Sequence, residues 1–533
     1  MLKITQEFME KKNLILGFVI IVLYSLALNL PYLWEREFQG EAARRVVAAL
    51  EMMERGEYVI PYIEGRPYLL KPPFYNWVLI GFFKTFGSHS EFVARLSSVT
   101  AATLTAFFLA LIFRAVARPP GLLWVLPGLV FLSTPEVLDK ACRAEIDMTY
   151  TFLVTVSVFS WFYFHEVRQR PYVAWVLGLG FTALATLTKT FQAVAFFYTP
   201  VIPYLLVKKR FRELFSLAHF VGLVIYASIF ALWLVPASQR VGVKTILQAW
   251  FGEYLAKKNP LDSSGFWGHF LKFPLEYIQG YLPWIVFLPG WSNRKVREVS
   301  TSSIKFLALF SFFLVAFSFP FYWFSPGSRL RYILPTAGGF SFLVSIPICV
   351  FWQENHSPGF IRLPINVLIA LTTLTIPIFA YLSCRKLHLN ENFQAIFVLS
   401  LFFIVGILFF TAKEFRSWLV KLFVYMLMAK LSFAAVYFTY QDRYRDHYRR
   451  ASRILLSHLQ ANETLCDYGV NTPHITYYLR YAFKSRIRLK LVGREELSQC
   501  NTVLTRGGIN LSGFNPLLHF RARHTPLVLW KRK

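Results

Sequence analysis

The chain has 533 residues, of which 55% are hydrophobic and 18% aromatic, and it carries a formal net charge of +28. A positive mean hydropathy at this length excludes a water-soluble globule and describes a polytopic membrane protein. The excess of Lys and Arg is broken up between apolar runs instead of gathered on one soluble domain, so it fits membrane orientation and anionic lipid or phosphate, and not nucleic acid.

Apolar runs of roughly spanning length fall near 13–33, 91–116, 121–135, 147–165, 171–189, 191–207, 216–238, 280–293, 303–324, 332–353, 362–383, 393–411 and 417–439, about thirteen in all. The first is too long for a cleaved signal peptide and has no small-residue cleavage site, so it is expected to be a retained helix. With the N-terminus inside, one set of short loops holds Lys3, Lys11, Lys12, Arg114, Arg118, Arg168, Arg170, Lys208, Lys209, Arg210, Arg212, Arg294, Lys295, Arg297, Lys305, Arg362, Lys413 and Arg416. The alternate loops are basic chiefly at Lys140 with Arg143, Arg329 with Arg331, and Arg385 with Lys386. This bias places the N-terminus in the cytoplasm and the C-terminal region outside.

Between the first two runs lies a polar island, Gly40 to Trp77, with Glu41, Arg44, Arg45, Glu51, Lys71 and other charges. Such a segment cannot sit in hydrocarbon and must lie at or above a membrane surface. On the assigned orientation it faces outward, together with Glu136 to Asp147 and a long loop from about Gln239 to Gln279. From Gln441 to Lys533 the composition becomes that of a small α/β domain. Strands are expected at Thr464–Tyr468, Arg486–Leu491, Thr502–Thr505 and Leu527–Lys531, with helices at Ser452–Leu459 and His474–Tyr481. The division is therefore 1–440, membrane domain with loop helices at 34–90, and 441–533, appended soluble domain. Of five cysteines, Cys466 and Cys500 pair if this domain is extracytoplasmic, or stand apart at a strand end and in a loop.

Glu41 opens a helical stretch: it is a general base or metal ligand at a cavity mouth, or a carboxylate favoured by the helix dipole. Lys71 stands before Pro72 and Pro73, which hold it in extended backbone at the interface, where a cation suits a lipid phosphate or snorkels to a head group. Asp147 enters a spanning helix whose next polar residues are hydroxyls, and an ionisable group there is a functional candidate by default. Lys189, between two apolar runs, binds an anion or snorkels. Arg329 and Arg331 break the positive-inside trend in a tight loop, and paired guanidinium groups suit a phosphate. His269 is a weak candidate metal ligand, since a lone histidine rarely binds metal.

In order, Glu41, Glu51-Met52, Gly56-Glu57-Tyr58-Val59-Ile60-Pro61 and Lys71-Pro72-Pro73 resemble the motifs of the GT-C glycosyltransferases that use lipid-phosphate sugars, the family of the lipid A aminoarabinose transferases and, more distantly, the protein O-mannosyltransferases. Asp147-Met148, Leu187-Thr188-Lys189, Leu282-Pro283-Trp284 and Arg331-Tyr332-Ile333-Leu334-Pro335 continue the resemblance to about residue 350. It implies a polytopic α-helical GT-C fold in the inner membrane, with a small α/β tail. It also implies an inverting enzyme that transfers a sugar from a polyprenyl-phosphate carrier to a lipid, glycan or protein acceptor. Glu41 and Asp147 would be catalytic. Lys71, Lys189, Arg329 and Arg331 would bind the donor phosphate, with a divalent metal ion as an optional cofactor. The chain departs from the family at Glu41-Ala42, where Asp-Glu is usual, and at Leu70, where relatives carry a glutamate able to ligate a metal. An oligosaccharide ligase and an anionic-lipid flippase are the competing readings. The ligase is expected to lack the early acidic helix and Lys-Pro-Pro, and a flippase spreads its charges near mid-membrane.

Overall fold

The computed structural model describes residues 2–256, 265–299, 301–382, 393–444 and 446–533, so Arg385 and Lys386 lie outside the described residues. The chain divides into two compact units, Met1–Pro31 with Ser98–Cys142 and Ile146–Val436, and Tyr32–Ser97 with Arg143–Glu145 and Tyr437–Lys533. The polar island thus packs with the C-terminal segment, far from it in sequence.

Among the described residues, eight helices are long and apolar enough to cross a bilayer, and Leu123–Ser133, Gln192–Val207 and Phe393–Phe409 are shorter apolar helices. The run near 147–165 forms Ile146–Phe162 and continues as one π turn, Tyr163–Val167. The run near 280–293 is not an α-helix: Pro283 and Pro289 leave a 3-10 helix at Trp284–Ser292. Hydropathy finds the runs but not their neighbours. Leu334–Glu354 is 100% buried within the protein, whereas Leu217–Val241 is 22% buried and leaves its side chains for lipid. The latter approaches Pro171–Lys189 at Gly222, where a Cβ would stand 2.8 Å from the Trp175 carbonyl oxygen. Ser157 Oγ donates to the Gly178 carbonyl at 2.7 Å and lies 2.7 Å from Thr182 Oγ1, joining Ile146–Phe162 to Pro171–Lys189.

The stretch read as a loop from Gln239 to Gln279 is instead largely helical, Val243–Ala256 and Gly265–Tyr281. Val243, Leu247, Phe251 and Leu255 form an exposed stripe at four-residue spacing, and Trp267, Leu271 and Leu275 form another. Their hydrophobic period is that of helices lying in a membrane interface, and the interspersed charges give them the look of a loop.

The second unit begins with helix Ala42–Arg55, closed by Gly56 at φ 63°. Glu57 then accepts hydrogen bonds from the Val59 and Ile60 amides, at 2.7 and 3.3 Å, and folds the following turn. A two-stranded hairpin follows, β1 (Tyr62–Ile63) and β2 (Arg66–Pro67). Glu51 pins it to the helix by accepting the Glu64 amide at 2.6 Å and the Gly65 amide at 3.2 Å. The C-terminal sheet comprises β3 (Thr464–Tyr468), β4 (Arg488–Leu491), β5 (Thr502–Arg506), β6 (Phe514–Ala522) and β7 (Thr525–Arg532) in the order β4-β3-β5-β7-β6. β3 runs parallel to β4 and β5, and β7 antiparallel to β5 and β6. One face carries Leu465, Leu489, Leu504 and Leu529 against Leu455, Ile475 and Leu479. The other carries Val503, Val528 and Trp530 with Cys466 and Cys500, which form a disulfide.

The island meets this domain through charge. Glu37 accepts the amides of His447, Tyr448 and Arg449, at 3.2, 2.8 and 3.2 Å, at the start of helix His447–Leu456. Arg449 pairs with Glu91 at 2.8 Å, and Arg66 with Glu496 at 2.8 Å. Buried Arg95 donates to the Leu33, Arg36 and Glu37 carbonyls and fixes the turns leading into the island. Glu64 enters the domain itself. Thr476 Oγ1 donates to its carboxyl at 2.6 Å, and its neighbour is the buried carboxyl of Asp467.

Burial, and then the proximity of Asp467, pushes Glu64 up to about 8 from an ordinary 4.5. A carboxyl raised on folding contributes stability that is complete below the unfolded value and is lost as pH rises through the folded one. The purified protein should therefore lose a few degrees of melting temperature between about pH 5 and 8, with little further change above that. Glu64→Gln should flatten that slope, and an equal slope in wild type and variant would exclude Glu64 as its source.

Candidate active site

Asp147 lies in the first turn of Ile146–Phe162, and Lys189 is the last residue of Pro171–Lys189. The helix dipoles favour a carboxylate at the first position and an ammonium at the second. Lys189 Nζ donates to Asp147 Oδ1 at 2.6 Å, and each side chain is only 4% exposed. The ammonium also stands 5.2 Å from the ring centre of Tyr150 and 4.9 Å from that of Tyr332. Arg331 lies 5.6 Å from the Tyr332 ring, and its charge and that of Lys140 act on Asp147. Directly after Lys189, Thr190 holds φ 72°, an uncommon conformation for a β-branched residue, and its amide bonds back to the Thr186 carbonyl at 2.8 Å. The chain is thus turned sharply at the lysine and enters Gln192–Val207.

A cavity of about 550 Å³ opens beside this pair, walled by Phe196, Phe321, Tyr322 and Phe324 with Thr199 and Ser318, and Tyr332 belongs to its wall. One aromatic ring therefore touches both the apolar cavity and the cationic cluster. Arg329 is exposed, and among the described residues no hydrogen bond or ion pair joins it to Asp147 or Lys189. His269 Nε2 donates to the Tyr322 carbonyl at 3.0 Å. Among the described residues no group of three His, Cys, Asp or Glu side chains could hold a metal ion, so those present do not form a metal cradle around His269.

The other candidates lie in the second unit. Glu41 is the residue before helix Ala42–Arg55, preceded by Gly40 at φ 63°. A Cβ at Gly40 would lie 2.9 Å from Glu145 Oε1, the movable end of a side chain, so it is the left-handed backbone at φ 63° that favours glycine there. The Glu41 carboxylate makes no cap to the helix amides, and pairs instead with Arg44 at 2.9 Å and Arg45 at 3.5 Å. Arg45 in turn donates to the Tyr68 hydroxyl at 3.0 Å. Lys71 is buried, its Nζ donating to the Leu70 carbonyl at 3.2 Å. Pro72 and Pro73 lead straight into helix Phe74–Phe86, whose Asn76 side chain donates to the Arg45 carbonyl at 3.1 Å.

Residues 70–235, which include Lys71, Asp147 and Lys189, match the family described as dolichyl-phosphate-mannose-protein mannosyltransferase. The undecaprenyl phosphate-α-4-amino-4-deoxy-L-arabinose arabinosyl transferase of Pectobacterium carotovorum subsp. carotovorum (strain PC1) is 25% identical over 65% of this chain and 60% of its own length. The relative of the same name, numbered 1, in Pseudomonas fluorescens (strain Pf0-1) is 25% identical over 74% of this chain and 66% of its own. ArnT from Cupriavidus metallidurans, solved with bound undecaprenyl phosphate, superimposes with a TM-score of 0.72 at 18% identity, covering 96% of this chain and 97% of that one. The chain has the GT-C fold. In sequence it spans about 60% of the length of the first of these relatives, and the structural match extends the likeness through the C-terminal domain.

Within this GT-C fold, sequence reasoning picked out Asp147 and Lys189 separately and did not pair them, because they are 42 residues apart. It left out Tyr150 and gave Tyr332 no part beyond its place in the Arg331–Pro335 motif, since one aromatic ring is hard to single out among 55 phenylalanines and 27 tyrosines. Arg45 was findable, since it follows Glu41 by one helical turn. Removing one partner of a buried ion pair leaves an uncompensated charge. Asp147→Asn or Lys189→Met should each destabilise the protein by about 3–5 kcal/mol, and the double variant by clearly less than their sum. Thermal unfolding of the four proteins measures this, and strictly additive losses would mean that the pair is not coupled.

Proposed function

We propose that the protein is an inverting glycosyltransferase moving a sugar from a polyprenyl-phosphate carrier to a lipid, glycan or protein acceptor on the outer side of the inner membrane. The observation that carries this reading is the Asp147–Lys189 pair with Arg331, set against an aromatic cavity through the shared Tyr332. An isoprenoid chain needs apolar walls, and its phosphate needs fixed cations where negative charge grows as the sugar departs. The relatives are named for transfer from undecaprenyl phosphate, and the ArnT structure contains that phosphate, which supports a carrier of this class here.

In the reaction, an acceptor oxygen forms a bond to the anomeric carbon as the bond from that carbon to the phosphate oxygen breaks. The electron pair leaves with the polyprenyl phosphate, and single displacement inverts the centre. Lys189 and Arg331 stabilise the departing anion, and Lys71, in the second unit, and the exposed Arg329 are alternative candidates for that part. For a hydroxyl acceptor, Glu41 or Asp147 takes the proton; for an ionised phosphate acceptor, the carboxylates orient it. Asp147 also holds Lys189 in place before the carrier arrives, so the cation needs no reorganisation. The cytoplasmic N-terminus and the outward C-terminal domain follow from the distribution of Lys and Arg. The Cys466–Cys500 disulfide supports the same polarity, since such bonds persist in oxidising compartments.

The test compares lipids, glycans and envelope proteins by mass spectrometry in cells with and without the chain. A sugar modification should vanish on deletion and return with the wild type. It should fall at least about 100-fold with stably expressed Glu41→Ala or Lys71→Ala. Full restoration by both variants would remove these residues from the site, and no change in any glycoconjugate would point to transport instead.

A further inference from the structure

The face of the C-terminal sheet that carries the Cys466–Cys500 disulfide also carries a groove. β5 and β6 flank β7 and are both antiparallel to it, so residues 507–513 have to cross that strand to join them. Leu511 packs on the cluster around the disulfide, which puts the crossing on this face. The 3-10 turn Glu495–Gln499 lies on the same cluster through Leu497. Residues of the turn and of the crossing line a cavity of about 440 Å³, within the roughly 300–1,000 Å³ of small-molecule sites.

The walls are braced from within the domain. Arg532, near the end of β7, donates to the Leu497, Ser498 and Cys500 carbonyls at 2.8, 2.6 and 2.9 Å, and its guanidinium lies 5.3 Å from the Phe514 ring centre. The Lys533 amide donates to the Gly513 carbonyl at 3.2 Å, and the disulfide fastens the end of the turn to β3. Four side chains of the lining take no part in this bracing. Among the described residues, the Tyr468 hydroxyl, the Arg494 guanidinium, the Asn510 amide and the Ser512 hydroxyl make no hydrogen bond or ion pair. Glu496, close to Arg494 in sequence, is taken by Arg66, Lys490 and the Gly493 amide. Among the described residues that line the cavity none is a carboxylate, and the two charged ones are Arg494 and Arg532.

We infer that this groove binds a phosphorylated sugar, at a site separate from the residues proposed for transfer. A guanidinium with no partner takes a phosphate bidentately, and Arg532 adds charge without leaving its carbonyls. The amide and the hydroxyls match sugar hydroxyls as donors and acceptors, and Tyr468 adds an aromatic face with a polar tip. Phosphate alone would leave Asn510 and Ser512 unused, and an acyl chain would leave all four polar groups unpaired. Because the walls are fixed beforehand, little ordering opposes binding. The site stands without the transfer reaction; only the source of its ligand, the acceptor or another envelope glycan, rests on that reading.

The test titrates the full-length protein in detergent with glucose 1-phosphate, glucose and inorganic phosphate, followed by saturation-transfer NMR of the probe. Glucose 1-phosphate should bind at about millimolar concentration, and roughly tenfold more tightly than either of the others. Arg494→Gln, at an exposed position, should weaken it about tenfold, and Asn510→Ala a few fold, at unchanged melting temperature. Lys71→Ala should bind it as the wild type does. Equal binding of phosphate and glucose 1-phosphate, or no effect of Arg494→Gln, would overturn the inference. So would binding lost in Lys71→Ala and kept in Arg494→Gln, which would move the signal to the proposed transfer site. In cells, a lower yield of product with Arg494→Gln would make the acceptor the source of the ligand, and an unchanged yield another envelope glycan. If no glycoconjugate depends on the chain while Arg494-dependent binding persists, the transferase reading fails and the groove stands.

Discussion

The pairing of Asp147 with Lys189 is the constraint on which the membrane unit depends. Neither charge would be tolerated alone at 4% exposure, and together they are stable only because the geometry is close and the surroundings are polarisable. Helix Ile146–Phe162 must start, and Pro171–Lys189 must end, at the same level. The hydroxyl bridges from Ser157 and the close approach at Gly222 hold the helices in that register. A strained Thr190 then returns the chain into the membrane immediately after the lysine. The aromatic rings of Tyr150 and Tyr332 complete the enclosure, so the cation is fixed before any substrate arrives.

The second unit solves a different problem with similar means. Its island is too polar for lipid and too short for a core of its own, and it takes its support from a sheet domain more than 350 residues later in the chain. The joints are carboxylates accepting backbone amides: Glu51 for the hairpin turn, Glu37 for a helix start, and Glu57 for the turn after helix Ala42–Arg55. Acidic residues that look like catalytic candidates by composition are thus largely occupied in holding loops. Glu41 differs, because it turns away from the helix amides toward two arginines.

Hydropathy and charge made the membrane class legible, and the ordered motifs made the GT-C resemblance legible, because both depend on local residue type. Asp147, Lys189 and Arg331 were each marked by being costly where they stand. Their convergence was not visible, since the sequence says nothing of which helices face one another. The same limit applies to Leu334–Glu354 and Leu217–Val241, both apolar enough to span a bilayer yet respectively central and lipid-facing. The segment Gln239–Gln279 was misread because charges interrupt its four-residue stripe. Strand β6 was missed because Pro516 falls inside it, and the strand tolerates that residue only by standing at the sheet edge with an irregular register between Pro516 and Leu518.

That edge has a consequence for neighbouring copies of the protein. Membrane confinement keeps such copies close and similarly oriented, conditions under which a flat open strand would recruit its counterpart and spread into a continuous intermolecular ribbon. A proline-broken border offers no regular row of amide donors to extend, so the domain can be crowded without polymerising through β6.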